Sequence, residues 1–430
     1  MKFEYLHPRD EIIEIINRVY RTGMTTTSGG NLSIMDDDGC IWITPSGIDK
    51  GTLTPKDIVK VFPDMTYEGI HVPSSELPFH SEMYKVRPDV KAIVHAHPPA
   101  LVAFAIARKV PDTTVIPKAS EICGKAGYSE YALPGSQKLG KIIADKFVEG
   151  YETVMMENHG AVAVGTSLLH AFQRLETLEY CARIILKGKT IGKVKTLTEE
   201  QIGLSQKGFT LDAFEPQFHS SKEKDLRKLM CQFIHRSYSQ KLVTSLEGTF
   251  SARVENDEFI ITPVGVDRKY IQEEELVLIK GGKKESGKIP SRSVKLHQAI
   301  YDKYPNINSI IISHPPNILA YAVTDNDFDS RTIPESYIVL REIVKVPYGA
   351  QYEHDNLSEN IIVNSITKST PIILCENDCI IVTGESLVQS FDRLEVAEFS
   401  AQSVIESKVL GGVVPIGDVE AEEIKTAYKL

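Results

Sequence analysis

HAHPPALVAFA at residues 95–105 returns in the second half of the chain as ISHPPNILAYA at 312–322. Each copy reads as the end of an apolar strand, a pair of prolines that cannot donate to a sheet ladder, and the start of a helix. Four further pairs keep the same order. TSGGNLS at 27–33 matches SLEGTFS at 245–251, and ITPSGIDK at 43–50 matches ITPVGVDR at 261–268. MMENHGAVAVG at 155–165 matches ILCENDCIIVTG at 373–384, and AFQRLETLEYCA at 171–182 matches SFDRLEVAEFSA at 390–401. Fragments that recur in one order at near-constant spacing mark a tandem duplication of one domain. The 430-residue length agrees, since two domains of about 200 residues are the prior for such a chain.

Within each copy, strand and helix signals alternate, which predicts an α/β domain. PRDEIIEIINRVYRTG, from Pro8, carries Ile12, Ile13, Ile16, Val19 and Tyr20 at helical spacing and stops at Gly23. EKDLRKLMCQFIHRSYSQKL at 223–242 plays that part in the second copy. A glycine-rich turn and short strands such as CIWITP and EFIITP follow, then a helix through FHSEMYKV and the strand that carries His95. The strand TVMMENHG comes next, and a closing helix runs from about Ser167 to Leu186. Residues 188–224 lack sustained periodicity, so the expected domains are 1–215 and 216–430.

Composition narrows the function classes. The chain is 42% hydrophobic and 25% charged, as soluble globular proteins are. Its net charge of −10 leaves no basic excess to displace phosphate counterions, which argues against nucleic acid as a partner. No run approaches the ~18 apolar residues of a membrane span, and MKFEYLHPRDE at the N-terminus has no apolar signal core. Cys40, Cys123, Cys181, Cys231, Cys375 and Cys379 are scattered without CxxC spacing. That pattern suggests reduced thiols in a cytoplasmic protein.

His95 and His97, two residues apart on a strand, share a face. They could offer two imidazoles to Zn²⁺ or a similar cation, or serve as satisfied structural histidines. PSSELPFHSEMYKV at 73–86 sets Glu76 at a turn into a helix, where Ser74 or Ser75 could cap and an acid favours initiation. NHG at 158–160 places His159 at the end of another apolar strand. Together, one carboxylate and three imidazoles at strand ends and turns make a plausible open site for catalytic Zn²⁺. A second group suits an anion. SGGN at 28–31 can aim backbone N–H groups outward, with Ser28 and Asn31 as side-chain donors. Ser46, Gly47, Ser74 and Ser75 add hydroxyls and amides, so a phosphate could be wrapped without arginine.

SGGNLS, ITPSGIDK, PSSExxxH, HAHPP and NHG, in this order and at these distances, resemble the class II aldolase/adducin family. Over about residues 5–187 the likeness is to its L-fuculose-1-phosphate aldolase branch. The resemblance implies two tandem class II aldolase-like domains, each a central, largely antiparallel sheet between helical layers. It also implies metal ligands His95, His97 and His159, with Glu76 at the metal in the resting state and acting as acid/base. The implied phosphate pocket is Ser28, Asn31, Ser46, Gly47, Ser74 and Ser75, and Lys118 and Tyr131 lie on the substrate side by family position. A tyrosine that the fuculose-phosphate enzymes place near the metal falls around Pro117–Lys118 here, a departure that bears on substrate identity.

The implied cofactor is Zn²⁺, or another divalent metal such as Mn²⁺ or Co²⁺, and the implied small-molecule partner is a phosphorylated sugar. The implied reaction is cleavage of a ketose 1-phosphate, of the L-fuculose-1-phosphate kind, to dihydroxyacetone phosphate and an aldehyde. The metal would act as Lewis acid, Glu76 would move the proton, and the phosphate pocket would orient the reacting carbons. The epimerase branch has Asp in place of Glu76, so the glutamate favours an aldolase. A sugar-phosphate 4-epimerase and a methylthioribulose-phosphate-type dehydratase are the alternatives within the family. A non-catalytic adducin-like interaction protein is the alternative from another class.

In the second copy the set is broken. Glu76 corresponds to Ser293, His95 to Ile312 and His159 to Asp378, while His97 keeps a partner in His314. Ser28 becomes Leu246, Gly29 becomes Glu247 and Ser46 becomes Val264. The expected second domain is therefore degenerate and non-catalytic. The family's fourfold ring of single domains further implies a homo-oligomer, a dimer of tandem chains forming a pseudo-fourfold ring.

Overall fold

PRDEIIEIINRVYR forms the first helix, α1, Pro8–Arg21. Proline opens it at little cost, because the N–H it lacks would be unpaired at any helix start. The Arg9 N–H donates to His7 Nδ1 at 3.1 Å. Gly23, at φ 75° just past the end, makes the left-handed exit that glycine adopts without strain.

The computed structural model describes residues 3–430. After α1 the first domain continues with β1 (Asn31–Met35), β2 (Ile41–Ile43), β3 (Val59–Val61), β4 (Tyr67–Glu68), α2 (Leu77–Val86) and β5 (Ala92–Ala96). Next come α3 (Pro99–Ile106), α4 (Pro117–Cys123), β6 (Gly127–Ser129), α5 (Gln137–Val148), β7 (Thr153–Met156), β8 (Ala161–Gly165) and α6 (Leu168–Ile191). The strands form one sheet in the order β4-β3-β2-β1-β5-β8-β7-β6. All neighbours are antiparallel except β6 and β7. The expected fold class, a largely antiparallel sheet with helices, is what forms.

β5, β7 and β8 are buried at every residue, so the sheet is covered on both faces where these strands run. On one face α2 and α5 contribute Phe79, Met83, Ile143 and Phe147 to a core shared with Ile43, Val59, Ile93 and Val162. Because strand side chains alternate, Asn31, Ser33 and His95 point toward this same face.

The second domain repeats the strand order. Its sheet runs Ile343–Val346, Ile372–Cys375, Ile380–Gly384, Ser309–Ser313, Thr249–Glu255, Glu258–Ile261, Val277–Lys280, Lys283–Glu285. One extra strand, Ala213–Phe214, pairs in parallel with Lys283–Glu285. That pairing draws residues ahead of 215 into the second sheet, and the two compact units divide between Arg183 and Ile184, within α6. The stretch without periodicity also holds a short helix, Glu199–Leu204, whose start is fixed by a capping box of Thr198 and Gln201.

A buried glutamate braces the HPP corner in each copy. Glu179 accepts the N–H groups of Ala100 and Leu101 at 3.3 and 3.1 Å. Glu398 accepts those of Asn317 and Ile318 at 3.0 and 2.9 Å. These are charge-assisted bonds to a helix N-terminus. The second copy keeps this glutamate though it has lost two of the three histidines, so the brace belongs to the fold. All six cysteines are buried and none is in a disulfide. Among the described residues no helix is long and apolar enough to cross a membrane.

Candidate metal and anion site

Strand register brings the first elements together. Asn31 on β1 is the cross-strand partner of His95 on β5. His97 lies one residue beyond β5, and its N–H donates to Met24 O at 3.1 Å. His159 sits in the turn between β7 and β8, after Asn158 at φ 53°. Each histidine presents one ring nitrogen, and the three atoms lie within 4.8 Å of one another. The Nε2 atoms of His95 and His97 are 3.1 Å apart. Glu76 joins them, with Oε2 3.2 Å from His95 Nε2 and Oε1 3.6 Å from His159 Nε2.

This donor set fits a divalent cation. The His95 Nδ1–H donates to Ala161 O at 3.0 Å, which leaves the Nε2 lone pair facing the other rings, the arrangement typical of metal-binding histidines. Burial, then the neighbouring imidazoles, pushes His97 down to about 3 and His159 down to about 4. Both are thus neutral near pH 7, the state in which imidazole ligates. Burial alone would raise Glu76, but His95, His159 and the Asn31 amide outweigh it and hold the carboxyl well below the usual carboxylate range. Its Oε1 is buried without a hydrogen-bond partner. A buried, unpaired carboxylate oxygen is costly, and a cation among these groups would remove that cost.

Two glycines keep the group compact. A Cβ on Gly160 would fall 2.5 Å from Ala96 O and 2.6 Å from His97 Cδ2. One on Gly29 would fall 2.9 Å from His97 Nδ1. Backbone at Ala96 cannot yield cheaply, so Gly160→Ala is expected to displace His97 and weaken metal binding about 10–100-fold, the usual cost of disturbing a ligand's supports. Titration with Zn²⁺ against a competing chelator checks this.

Glu76 is not used as a helix cap. It occupies the N-cap position of α2, but its side chain caps nothing. The Glu76 N–H instead donates to Ser74 Oγ at 3.3 Å, so the serine braces the turn and the carboxylate is free to face the histidines.

The loops expected to hold an anion are stitched together beside this group. Ser46 N–H donates to Val72 O and Ser74 N–H to Thr44 O, both at 3.1 Å. Lys50, absent from the sequence-based site, is buried and joins two loops. Its backbone N–H donates to Thr27 O at 2.8 Å and its Nζ to Pro45 O at 2.7 Å. Arg268 does the same work in the second copy through Gly248 O and Pro263 O, a correspondence already visible in ITPSGIDK and ITPVGVDR. Ser28, Gly47 and Ser75 are exposed, Ser46 is half-buried and Ser74 is buried.

Asn31 stands apart from these five. It is buried, its Nδ2 donates to Glu76 Oε2 at 2.7 Å, and its Oδ1 faces His80 Nε2. Lys118 pairs with Glu121 at 3.0 Å. Tyr131 is exposed, with its N–H on Glu157 Oε2 at 3.3 Å. Neither residue has a hydrogen bond, ion pair or ring contact with Glu76 or the three histidines.

At the corresponding place in the second domain, His314 Nε2 lies 3.7 Å from Glu247 Oε1 and 3.8 Å from Asp378 Oδ1. Tyr352 Oη donates to Asp378 Oδ2 at 3.0 Å. One imidazole between two acids is a different arrangement from three imidazoles around one acid.

The sequence profile of the Class II Aldolase and Adducin N-terminal domain matches residues 10–186 and again residues 228–405. Named relatives match over one domain's length. The 5-deoxy-D-ribulose 1-phosphate aldolase of Bacillus thuringiensis is 32% identical over 199 residues, covering 45% of this chain and 91% of its own. The 3-oxo-tetronate 4-phosphate decarboxylase of Pectobacterium atrosepticum is 32% identical over 200 residues, covering 45% and 90%. The L-fuculose phosphate aldolase of Methanococcus maripaludis is 32% identical over 176 residues, covering 40% and 93%.

Proposed function

The chain belongs to the class II aldolase and adducin family, and on that premise we propose that its first domain is a metal-dependent lyase acting on a phosphorylated ketose. The favoured reaction is cleavage of a ketose 1-phosphate to dihydroxyacetone phosphate and an aldehyde. The observation that carries this reading is the Glu76 carboxylate, 3.2 and 3.6 Å from two of three clustered imidazoles and with no hydrogen bond to Oε1.

His95, His97 and His159 would hold Zn²⁺, Mn²⁺ or Co²⁺, which when bound supplies Lewis acidity to the substrate's oxygens. In the cleavage the C3–C4 bond breaks and its electron pair passes toward the C2 carbonyl. The C4 hydroxyl gives its proton to Glu76 Oε1 as the aldehyde forms, and that proton returns to C3. Glu76 Oε1 is the buried basic atom suited to that return. Ser28, Asn31, Ser46, Gly47, Ser74 and Ser75 would bind the phosphate and so orient the reacting carbons.

A second reading is decarboxylation of a 3-oxo acid phosphate, favoured by the 32% identity to such a decarboxylase. It uses the same logic, since a bond to the carbon beside a carbonyl breaks and a proton replaces the lost group. The test is a screen of purified protein, with and without chelator, over ketose 1-phosphates and 3-oxo-4-phosphate acids, following dihydroxyacetone phosphate and CO₂. Absence of chelator-sensitive turnover with both classes would overturn the lyase reading.

We read the second domain as non-catalytic and the protein as a homodimer with one metal per chain. The expected solution mass is twice the 47.9 kDa of one chain. Light scattering combined with metal counting checks both numbers.

A further inference from the structure

Behind Glu76 lies a row of buried polar groups that the proposed reaction does not use. Tyr84 Oη is 2.8 Å from Ser33 Oγ, and Ser33 Oγ is 2.6 Å from His80 Nδ1. His80 Nε2 meets Asn31 Oδ1, and Asn31 Nδ2 is 2.7 Å from Glu76 Oε2. Ser33 and His80 are fully buried and Asn31, Tyr84 and Glu76 nearly so.

Donor and acceptor chemistry gives this row one direction. An ionised carboxylate only accepts, so the Asn31 amide must turn Nδ2 toward Glu76 and Oδ1 toward His80. An amide oxygen also only accepts, so the proton of the His80 ring sits on Nε2. Burial pushes His80 down to about 3 and leaves it neutral, so its Nδ1 accepts from the Ser33 hydroxyl. Ser33 Oγ in turn accepts from Tyr84, whose phenol burial keeps protonated. Four bonds then run from Tyr84 to Glu76 without a conflict.

We infer that this relay, Tyr84–Ser33–His80–Asn31, positions Glu76 by gripping Oε2, leaving Oε1 to move the proton. The second domain is an internal control. There Tyr301, Ser251 and His297 keep the first part of the row, at 2.7 and 2.7 Å. Thr249 replaces Asn31 and bonds Ser291 at 2.8 Å, Ser293 replaces Glu76, and the buried His297 Nε2 has no partner. The Tyr–Ser–His segment therefore belongs to the fold, and the link through asparagine is absent where the glutamate is absent.

The relay's kinetic consequence rests on the lyase reading, so the test includes readouts that do not. Asn31→Ala, Ser33→Ala and His80→Gln would be compared with wild type as full-length, Co²⁺-loaded protein. The measurements are visible absorption, binding of inorganic phosphate by calorimetry, and kcat and KM on any substrate found. Asn31→Ala and Ser33→Ala are expected to alter the Co²⁺ spectrum and lower kcat about 10–100-fold, and Ser33→Ala, which lies away from the phosphate loops, should keep KM and phosphate affinity within about twofold. His80→Gln, whose amide nitrogen can take the place of Nε2 as donor to Asn31, should stay near wild type. A Ser33→Ala protein with wild-type spectrum and kcat would overturn the relay. So would an Asn31→Ala protein that keeps both its spectrum and its kcat. If no sugar phosphate is turned over, the lyase reading fails while the spectrum still decides the relay.

Discussion

His95→Ala and His159→Ala are each expected to leave the protein without stoichiometric metal and to cut turnover by about 10³-fold or more, the loss of several kcal/mol of charge stabilisation. Each substitution removes one of three ring nitrogens that lie within 4.8 Å of one another, and two imidazoles with one carboxylate make a poorer set for a borderline cation. His95 has the stronger claim, because its Nδ1–H bond to Ala161 O fixes the ring from β8. His314→Ala should change neither metal content nor turnover. It leaves Glu247 and Asp378 buried near the removed imidazole, so its expected penalty is in stability, about 1–3 kcal/mol. Elemental analysis, turnover and thermal unfolding separate the three effects. Loss of metal on changing His314, with His95→Ala retaining it, would move the site to the second domain.

The duplication and the residues that cluster, Glu76 with His95, His97 and His159, were legible because both are written in local spacing. HAHPP, NHG and PSSE each put a polar group where a strand or helix ends, and the repeat supplied a second copy in which those groups had changed. Strand order was not legible, because it depends on pairings such as Asn31 with His95 that no local pattern encodes. Loss of periodicity alone places the boundary near 215, and the pairing of Ala213–Phe214 with Lys283–Glu285 is likewise a long-range contact that no local pattern encodes. Asn31 was assigned to the phosphate from composition, since asparagine in a glycine-rich turn is an ordinary anion donor. Its side chain also meets Glu76, at the N-cap of α2, and His80 on that helix. A signal for them did exist. Glu76, His80 and Tyr84 recur at four-residue spacing and so share a helix face, and Asn31 and Ser33 share a strand face. What the sequence lacked was the fact that those two faces meet.

Glu76→Gln is expected to fold, to keep its metal, and to lose turnover by about 10²–10⁴-fold, the usual contribution of a positioned acid/base. The fold should tolerate the change because glutamine can turn its oxygen toward Asn31 Nδ2, preserving the bond now 2.7 Å long at Glu76 Oε2. Its amide nitrogen then takes the place of Oε1, the oxygen without a hydrogen-bond partner. Metal should be retained because His95, His97 and His159 remain. Proton transfer fails because an amide nitrogen in that place has no basic lone pair to offer. Turnover, metal content and thermal unfolding measured on one preparation distinguish this from simple damage. A variant that keeps metal and near-normal kcat would show that another group moves the proton. Lys118, tied to Glu121, and Tyr131, exposed beside Glu157, would then be the next two residues to change.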